Sequence, residues 1–164
     1  ATYVIVGHSE RRADHGETNE IVAEQALAAE VAGLIPIICV GESLAERQAG
    51  QTLDVISKQI AQSVPDMAAT TEFAVAYEPI WAIGTGEVAT VEQIDEVHTA
   101  IRSQLADRFG DKGESIPLLY GGSMKPGNAA EILAVKNVNG GLIGGASLKA
   151  DDFMAIYRIA VGQD

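Results

Sequence analysis

An α/β fold built on a parallel sheet is what this sequence predicts, and three observations predict it. Five short apolar runs are continuous rather than alternating, which marks strands buried on both faces. The stretches between them carry apolar residues at helical spacing. Each run is followed by a polar or glycine-rich stretch, placed where the C-terminal ends of parallel strands converge on a ligand. Such alternation implies right-handed parallel crossovers, and periodicity alone leaves open whether the sheet is doubly wound or closed into a barrel.

The first run is Tyr3 to Val6, and Ser9 to Arg12 after it have helical character. A helix is expected from near Thr18 to a stop at Gly33, ahead of the second run, Pro36 to Val40. Leu53, Ile56, Ile60 and Val64 then fall on one helical face, a core stripe leading to the third run, Phe73 to Tyr77. Thr90 and Gln93 form a capping box that opens a helix with Ile94, Val97, Ile101 and Leu105 on one face. The fourth run is Ile116 to Tyr120 and the fifth Gly141 to Ile143, followed by a helix from about Asp151 to Ala160. With no proline-rich or glycine-serine linker, residues 1–164 are expected to form one domain. Ala1 and Thr2 lead straight into a strand without an initiator Met, which is expected of a start inside a larger fold.

With 47% hydrophobic and 21% charged residues the chain is far from the composition of a disordered one. A net charge of -12 excludes nucleic acid as the expected partner, because a phosphate backbone requires clustered Lys and Arg. No apolar run is long enough for a membrane span and no signal peptide opens the chain, so a soluble protein with no membrane partner is expected. The single Cys39 allows no internal disulfide, which fits a reducing compartment and also a secreted domain that needs no staple; the cytoplasm is expected. The negative charge also means that a small phosphate ester would have to be held by backbone N–H groups and local dipoles.

Glu78 follows the third run directly and leads into Pro79-Ile80-Trp81-Ala82-Ile83-Gly84-Thr85-Gly86. A proline at one end, glycines at the other and an apolar middle suit a lid over substrate; a packed loop holding Trp81 is the plainer alternative. His8 sits at a strand end and at a helix N-terminus, whose dipole disfavours the imidazolium and leaves a neutral hydrogen-bond donor. His15 and His98 read as structural. No second His or Cys stands at ligand spacing from His8, so neither a metal nor another cofactor is expected. Glycine-rich turns at Ile83 to Gly86, Tyr120 to Ser123 and Leu142 to Ala146 serve tight turns, or, after the last two strands, a phosphate site.

The stretches Gly7 to Arg12, Tyr77 to Gly86, Tyr120 to Ser123 and Gly140 to Leu148, in this order and spacing, resemble the signature segments of the triosephosphate isomerase family. The resemblance runs over the whole chain, from the family's fourth strand to its C-terminus. It implies a parallel (β/α)8 TIM barrel of which this chain carries about five β-α units. The implied reaction, in glycolysis and gluconeogenesis, interconverts dihydroxyacetone phosphate and D-glyceraldehyde 3-phosphate by proton transfer through an enediolate. By this resemblance Glu78 is the base and His8 polarises the carbonyl, a pairing long described for this family. Gly84, Ser123, Gly144 and Gly145 would bind the substrate phosphate, Glu10 would be a supporting carboxylate, and Cys39 would be structural. A homodimer is implied for the full-length family protein. The family's substrate-binding asparagine and lysine follow its first strand, and its main dimer loop follows the third. Neither is in this sequence, so a missing N-terminal segment is implied and the chain alone is expected to be inactive or nearly so. A catalytically silent fragment and another phosphate-binding barrel enzyme are the alternative readings.

Overall fold

The computed structural model describes residues 1–66 and 71–162. Strands β1 (Tyr3–Val6), β2 (Ile35–Val40), β3 (Ala74–Tyr77), β4 (Leu118–Tyr120) and β5 (Gly140–Gly141) form one sheet, each pairing in parallel with the next along the chain. Helices α1 (Ser9–His15) and α2 (Asn19–Val31) connect β1 to β2, and α3 (Leu44–Gln48) and α4 (Thr52–Ser63) connect β2 to β3. Helices α5 (Val91–Phe109) and α6 (Asp111–Ser115) lead to β4, α7 (Pro126–Leu133) to β5, and α8 (Ala150–Ala160) follows β5. No helix among the described residues is long and apolar enough to cross a membrane.

The sheet holds because its strands are rich in β-branched and aromatic residues that fill both faces. Every residue of β3 is buried, and Ile38, Tyr77 and Tyr120 are among the most enclosed side chains. The outer layer is made by helices whose apolar stripes lie on the sheet: Val22 and Ala26 of α2, Ile56 and Ile60 of α4, and Ile94, Val97, Ile101 and Leu105 of α5. Caps fix where two of these helices begin. Thr18 accepts from the Ile21 N–H, and Thr90 and Gln93 make the reciprocal capping box that the sequence predicts. Gly33, with φ of 71°, turns the chain out of α2 in the left-handed conformation that favours glycine.

Three sequence expectations are corrected. The fourth strand begins at Leu118, not Ile116, although Ile116 is buried beside it. The fifth pairs at Gly140–Gly141, not Gly141 to Ile143; it is a sheet edge, and Leu142 and Ile143 have already turned towards the cleft described below. Leu53 is 41% exposed, because the buried face of α4 runs through Thr52, Ile56, Ile60 and Ser63 and Leu53 stands at its margin. The other edge of the sheet is β1, whose Tyr3 and Ile5 are 57% and 45% exposed.

His98 is enclosed in α5, its ring edge-on to Tyr77. Its Nδ1 lies 3.1 Å from the Asn137 carbonyl, which only accepts, so Nδ1 carries the proton and Nε2 is buried with no partner among the described residues. Burial pulls its pKa from 6.5 down to about 4, with the Asn137 carbonyl opposing and Arg102 assisting. The unfolded chain therefore takes up a proton between those values that the folded chain refuses. Stability rises with pH through that window and falls by roughly 3 kcal/mol as pH drops from about 6.5 to about 4. Denaturant unfolding at pH 7 and pH 4.5 is expected to show His98→Gln losing less on acidification than the wild type. An equal loss in the two proteins would show that His98 takes no part in the pH dependence.

Candidate active site

At the end of β1, Gly7 adopts φ of 69°, and a Cβ there would lie 2.7 Å from a Val22 methyl. Glycine is needed at this turn for both reasons. The turn delivers His8 as the N-cap of α1, where its Nδ1 accepts the Glu10 N–H at 3.3 Å. The ring proton therefore sits on Nε2, which donates to Oε1 of Glu78 at 2.8 Å. The Ser9 N–H donates to the other carboxylate oxygen, Oε2, at 3.2 Å.

Glu78 stands immediately beyond β3 and is 2% exposed. Its N–H donates to the Val40 carbonyl at 2.7 Å, so the sheet ladder fixes its backbone. Burial pushes the carboxyl above the usual range; His8, the Ser9 N–H, the Cys39 thiol and Arg12 oppose that rise. A buried carboxylate held this way is a stronger base than an exposed one and is still supplied with donors that favour its ionised form.

The pair opens on a cleft of about 530 Å³ at the C-terminal ends of the strands. Its walls are the turns after β3, β4 and β5, and they bring together His8, Glu78, Gly84, Ser123, Gly144 and Gly145. A Cβ on Gly144 or Gly145 would meet nothing within 4 Å, so their bare backbone faces open space. Among the described residues the N–H groups of Gly84, Gly144 and Gly145 donate to no backbone carbonyl. Ser123 differs: its N–H and its hydroxyl both donate to the Ala82 carbonyl, at 3.2 and 2.7 Å. Glu10 is exposed and does not line the cleft; its backbone N–H is what touches the site.

Pro79 to Gly86 divides into two halves. In the first, a 3-10 turn over Ile80–Ala82 is pinned by Ile80 N–H to the Glu42 carbonyl, Trp81 Nε1 to Glu42 Oε1 at 3.0 Å, and Ser123 to Ala82. In the second, Gly84, Thr85 and Gly86 are exposed, with φ positive at both glycines. Trp81 is thus a partly buried anchor, and the exposed turn is tied back to it by the Thr85 hydroxyl, which donates to the Trp81 carbonyl at 2.8 Å.

Sequence reasoning assigns no role to two groups. Glu42 is completely buried and gathers the Tyr77 hydroxyl, Trp81 Nε1 and Arg47 on one oxygen, at 3.1, 3.0 and 3.2 Å. An acid directly after a strand was its only signal. Lys125 lines the cleft beside Ser123, and its place just after the Gly121-Gly122-Ser123 turn could have marked it. Among the described residues no group of three or more His, Cys, Asp or Glu could hold a metal ion.

Comparison with known proteins gives concordant results. The family model described as triosephosphate isomerase matches residues 1–160. A triosephosphate isomerase of Hyphomonas neptunium is 68% identical over 98% of this chain and 64% of its own length. One from Ruegeria sp. is 60% identical over 93% of this chain and 62% of its own. The crystal structure of triosephosphate isomerase from Bartonella henselae superposes with a TM-score of 0.90 at 49% identity, covering 97% of this chain and 65% of that one. The chain therefore spans less than two thirds of the length of these relatives. Over that span its parallel β-α units follow the barrel architecture of the enzyme they resemble.

Proposed function

Because the chain belongs to the triosephosphate isomerase family, we propose that it carries the proton-transfer and phosphate-binding part of an isomerase for dihydroxyacetone phosphate and D-glyceraldehyde 3-phosphate. The observation that carries this reading is the 2.8 Å contact between His8 Nε2 and Glu78 Oε1 at the wall of a cleft lined by unpaired amides.

The chemistry follows from what each group can do. Isomerisation requires a proton to leave carbon beside a carbonyl while charge builds on the carbonyl oxygen. Substrate entering the cleft replaces the His8 to Glu78 contact: Nε2–H turns its donation to the substrate oxygen, and the freed carboxylate oxygen faces the carbon. Glu78 takes that proton, the enediolate forms with its oxygen held by His8, the hydroxyl proton passes to the former carbonyl oxygen by way of His8 Nε2, and Glu78 returns its proton to the neighbouring carbon. The phosphate rests on the N–H groups of Gly84, Gly144 and Gly145, which hold an anion in a chain of net charge -12. Ser123 joins them once its donors leave Ala82. Closure of the exposed half of the lid, Gly84 to Gly86, excludes water that would favour loss of phosphate from the enediolate.

On this reading Glu10 supports His8 through its N–H, no cofactor is used, and the complete enzyme works as a cytoplasmic homodimer in central sugar metabolism. Residues 1–164 act as one domain equivalent to strands four to eight of the family barrel, to be completed by an N-terminal segment. A silent fragment is the second reading, and the open β1 edge, with Tyr3 and Ile5 exposed, favours it for the chain by itself. The test is to assay glyceraldehyde 3-phosphate turnover by the purified 164-residue chain, alone and after mixing with the N-terminal part of a full-length relative. Little turnover alone and a rise of roughly a hundredfold or more on mixing are expected, the scale of one restored preorganised charge. Full activity before mixing would refute the need for completion, and none after mixing would refute the isomerase reading.

A further inference from the structure

Arg12, whose backbone N–H donates to the His8 carbonyl at 3.1 Å, is wired through its side chain to four different segments. Its Nε donates to the Gly7 carbonyl at 2.8 Å and its Nη1 to Asn19 Oδ1 at 2.8 Å. Its Nη2 donates to the Cys39 carbonyl at 3.2 Å and to the hydroxyl of Ser63, a completely buried residue, at 3.1 Å. All these acceptors are neutral. Among the described residues no carboxylate comes within 4.0 Å of the guanidinium, whereas Arg11, next to it, is paired with Glu17. A half-buried guanidinium without an anionic partner is costly and is unusual without a reason.

We propose that Arg12 is a positioning residue for the isomerase reaction: it clamps the left-handed Gly7 turn that presents His8 to Glu78, and it holds a fixed positive charge that acts on the Glu78 carboxylate. The proposal rests on the isomerase reading of the site. The clamp follows from the bond to Gly7, where a Cβ would approach Arg12 to 3.0 Å, so the turn and the guanidinium are fitted to each other. The charge follows from the absence of a closer acid to quench it. Burial lowers the guanidinium's own pKa, and Cys39, Glu78 and Glu17 act on it in the opposite sense. The groups acting on Glu78 are His8, the Ser9 N–H and Arg12 from the β1 side and Cys39 from β2, and each opposes the rise that burial causes. Lys, with one ammonium, cannot reach four acceptors in different directions, but it keeps the charge.

The experiment uses the form of the protein that turns over triose phosphate, with wild type and Glu78→Gln in parallel. Arg12→Met, Arg12→Lys and Asn19→Asp are compared in kcat, KM and the pH profile of kcat/KM. Arg12→Met is expected to lower kcat roughly ten- to a hundredfold through misplacement of the pair, with KM changed little. Its acid limb moves to higher pH, because without the positive charge the base takes up its proton earlier as pH falls. Arg12→Lys keeps the limb near its wild-type position and recovers part of kcat. Asn19→Asp leaves the bond to Gly7 in place but supplies the guanidinium with a carboxylate, and it is expected to move the limb upward with a smaller loss of kcat. If Arg12→Met does not fold, Asn19→Asp decides the charge argument and Arg12→Lys the clamp. An acid limb unmoved in Arg12→Met or Asn19→Asp overturns the charge argument, and an Arg12→Lys enzyme with wild-type kcat overturns the clamp. A wild type without turnover, or an undiminished Glu78→Gln, overturns the reading of the site instead.

Discussion

Glu78→Gln is expected to lower kcat by roughly two to four orders of magnitude while KM changes little. The carboxamide has nearly the shape of the carboxylate, so phosphate contacts at Gly84, Gly144 and Gly145 are untouched. What is lost is the basic oxygen. The carboxamide would still accept from His8 Nε2 through its carbonyl, but its NH2 group would then face the Ser9 N–H, donor against donor, where Oε2 of Glu78 now accepts at 3.2 Å. A modest loss of stability is therefore expected beside the large kinetic loss, and circular dichroism with a thermal melt separates the two. Because burial raises the Glu78 carboxyl, the wild-type acid limb of kcat/KM should lie above the ordinary carboxylate range. Activity falls as pH drops through that raised value, since the protonated acid cannot take the substrate's proton. A variant with near wild-type turnover would remove Glu78 from the chemistry.

Gly41→Ala is expected to be as damaging, by a different route. The added Cβ would stand 1.7 Å from the Glu78 carbonyl oxygen and 2.7 Å from its carbon, a distance only main-chain movement can relieve. Neither strand is free to move. Gln59 grips the Gly41 peptide from both sides, at 2.7 and 3.0 Å, and the Glu78 N–H is tied to Val40 at 2.7 Å. Overpacking of this kind should cost about 3 kcal/mol or more in denaturant unfolding. In any folded fraction, a shift of roughly 1 Å in the base should cost about a hundredfold in turnover. Gly127→Ala is the control: it lies in α7 with nothing within 4 Å of the new methyl, and it should be neutral or slightly stabilising. If Gly41→Ala melts with the wild type, the close approach of β2 to the base is not tight.

Why some of this was legible in the sequence and some was not follows from where each signal lives. β3 and α5 could be read because their evidence is local: a continuous apolar run, and a capping box followed by Ile94, Val97, Ile101 and Leu105. His8 and Glu78 were legible as strand-end residues and through the family resemblance, which also led to the glycines that the structure places around one cleft. Leu53 misled because spacing gives a helical face but not how far the covering layer extends. The edge pairing of β5 has no neighbour to define its limits. Arg12 and Glu42 were opaque for a further reason. Their partners, Asn19, Cys39 and Ser63 for one and Tyr77, Trp81 and Arg47 for the other, are brought near only by the fold.

The strictly sequential order of the sheet bears on how the chain reaches this arrangement. Tyr3 pairs with Ile35, Ile37 with Ala74, Val75 with Leu118 and Leu119 with Gly140, so each pairing closes a loop of only a few tens of residues. Loop-closure entropy grows slowly with length, and no pairing here must wait for a distant one. The contact order is therefore low for a parallel sheet, and rapid assembly is favoured over the slow search of sheets whose neighbours are far apart in sequence. A chain emerging from the ribosome can dock each β-α unit on the one before it, β2 on β1 and β3 on β2. Slow phases in refolding should then come from packing the helical layer, in which residues as far apart as Asn19 and Gln62 must meet, rather than from strand order.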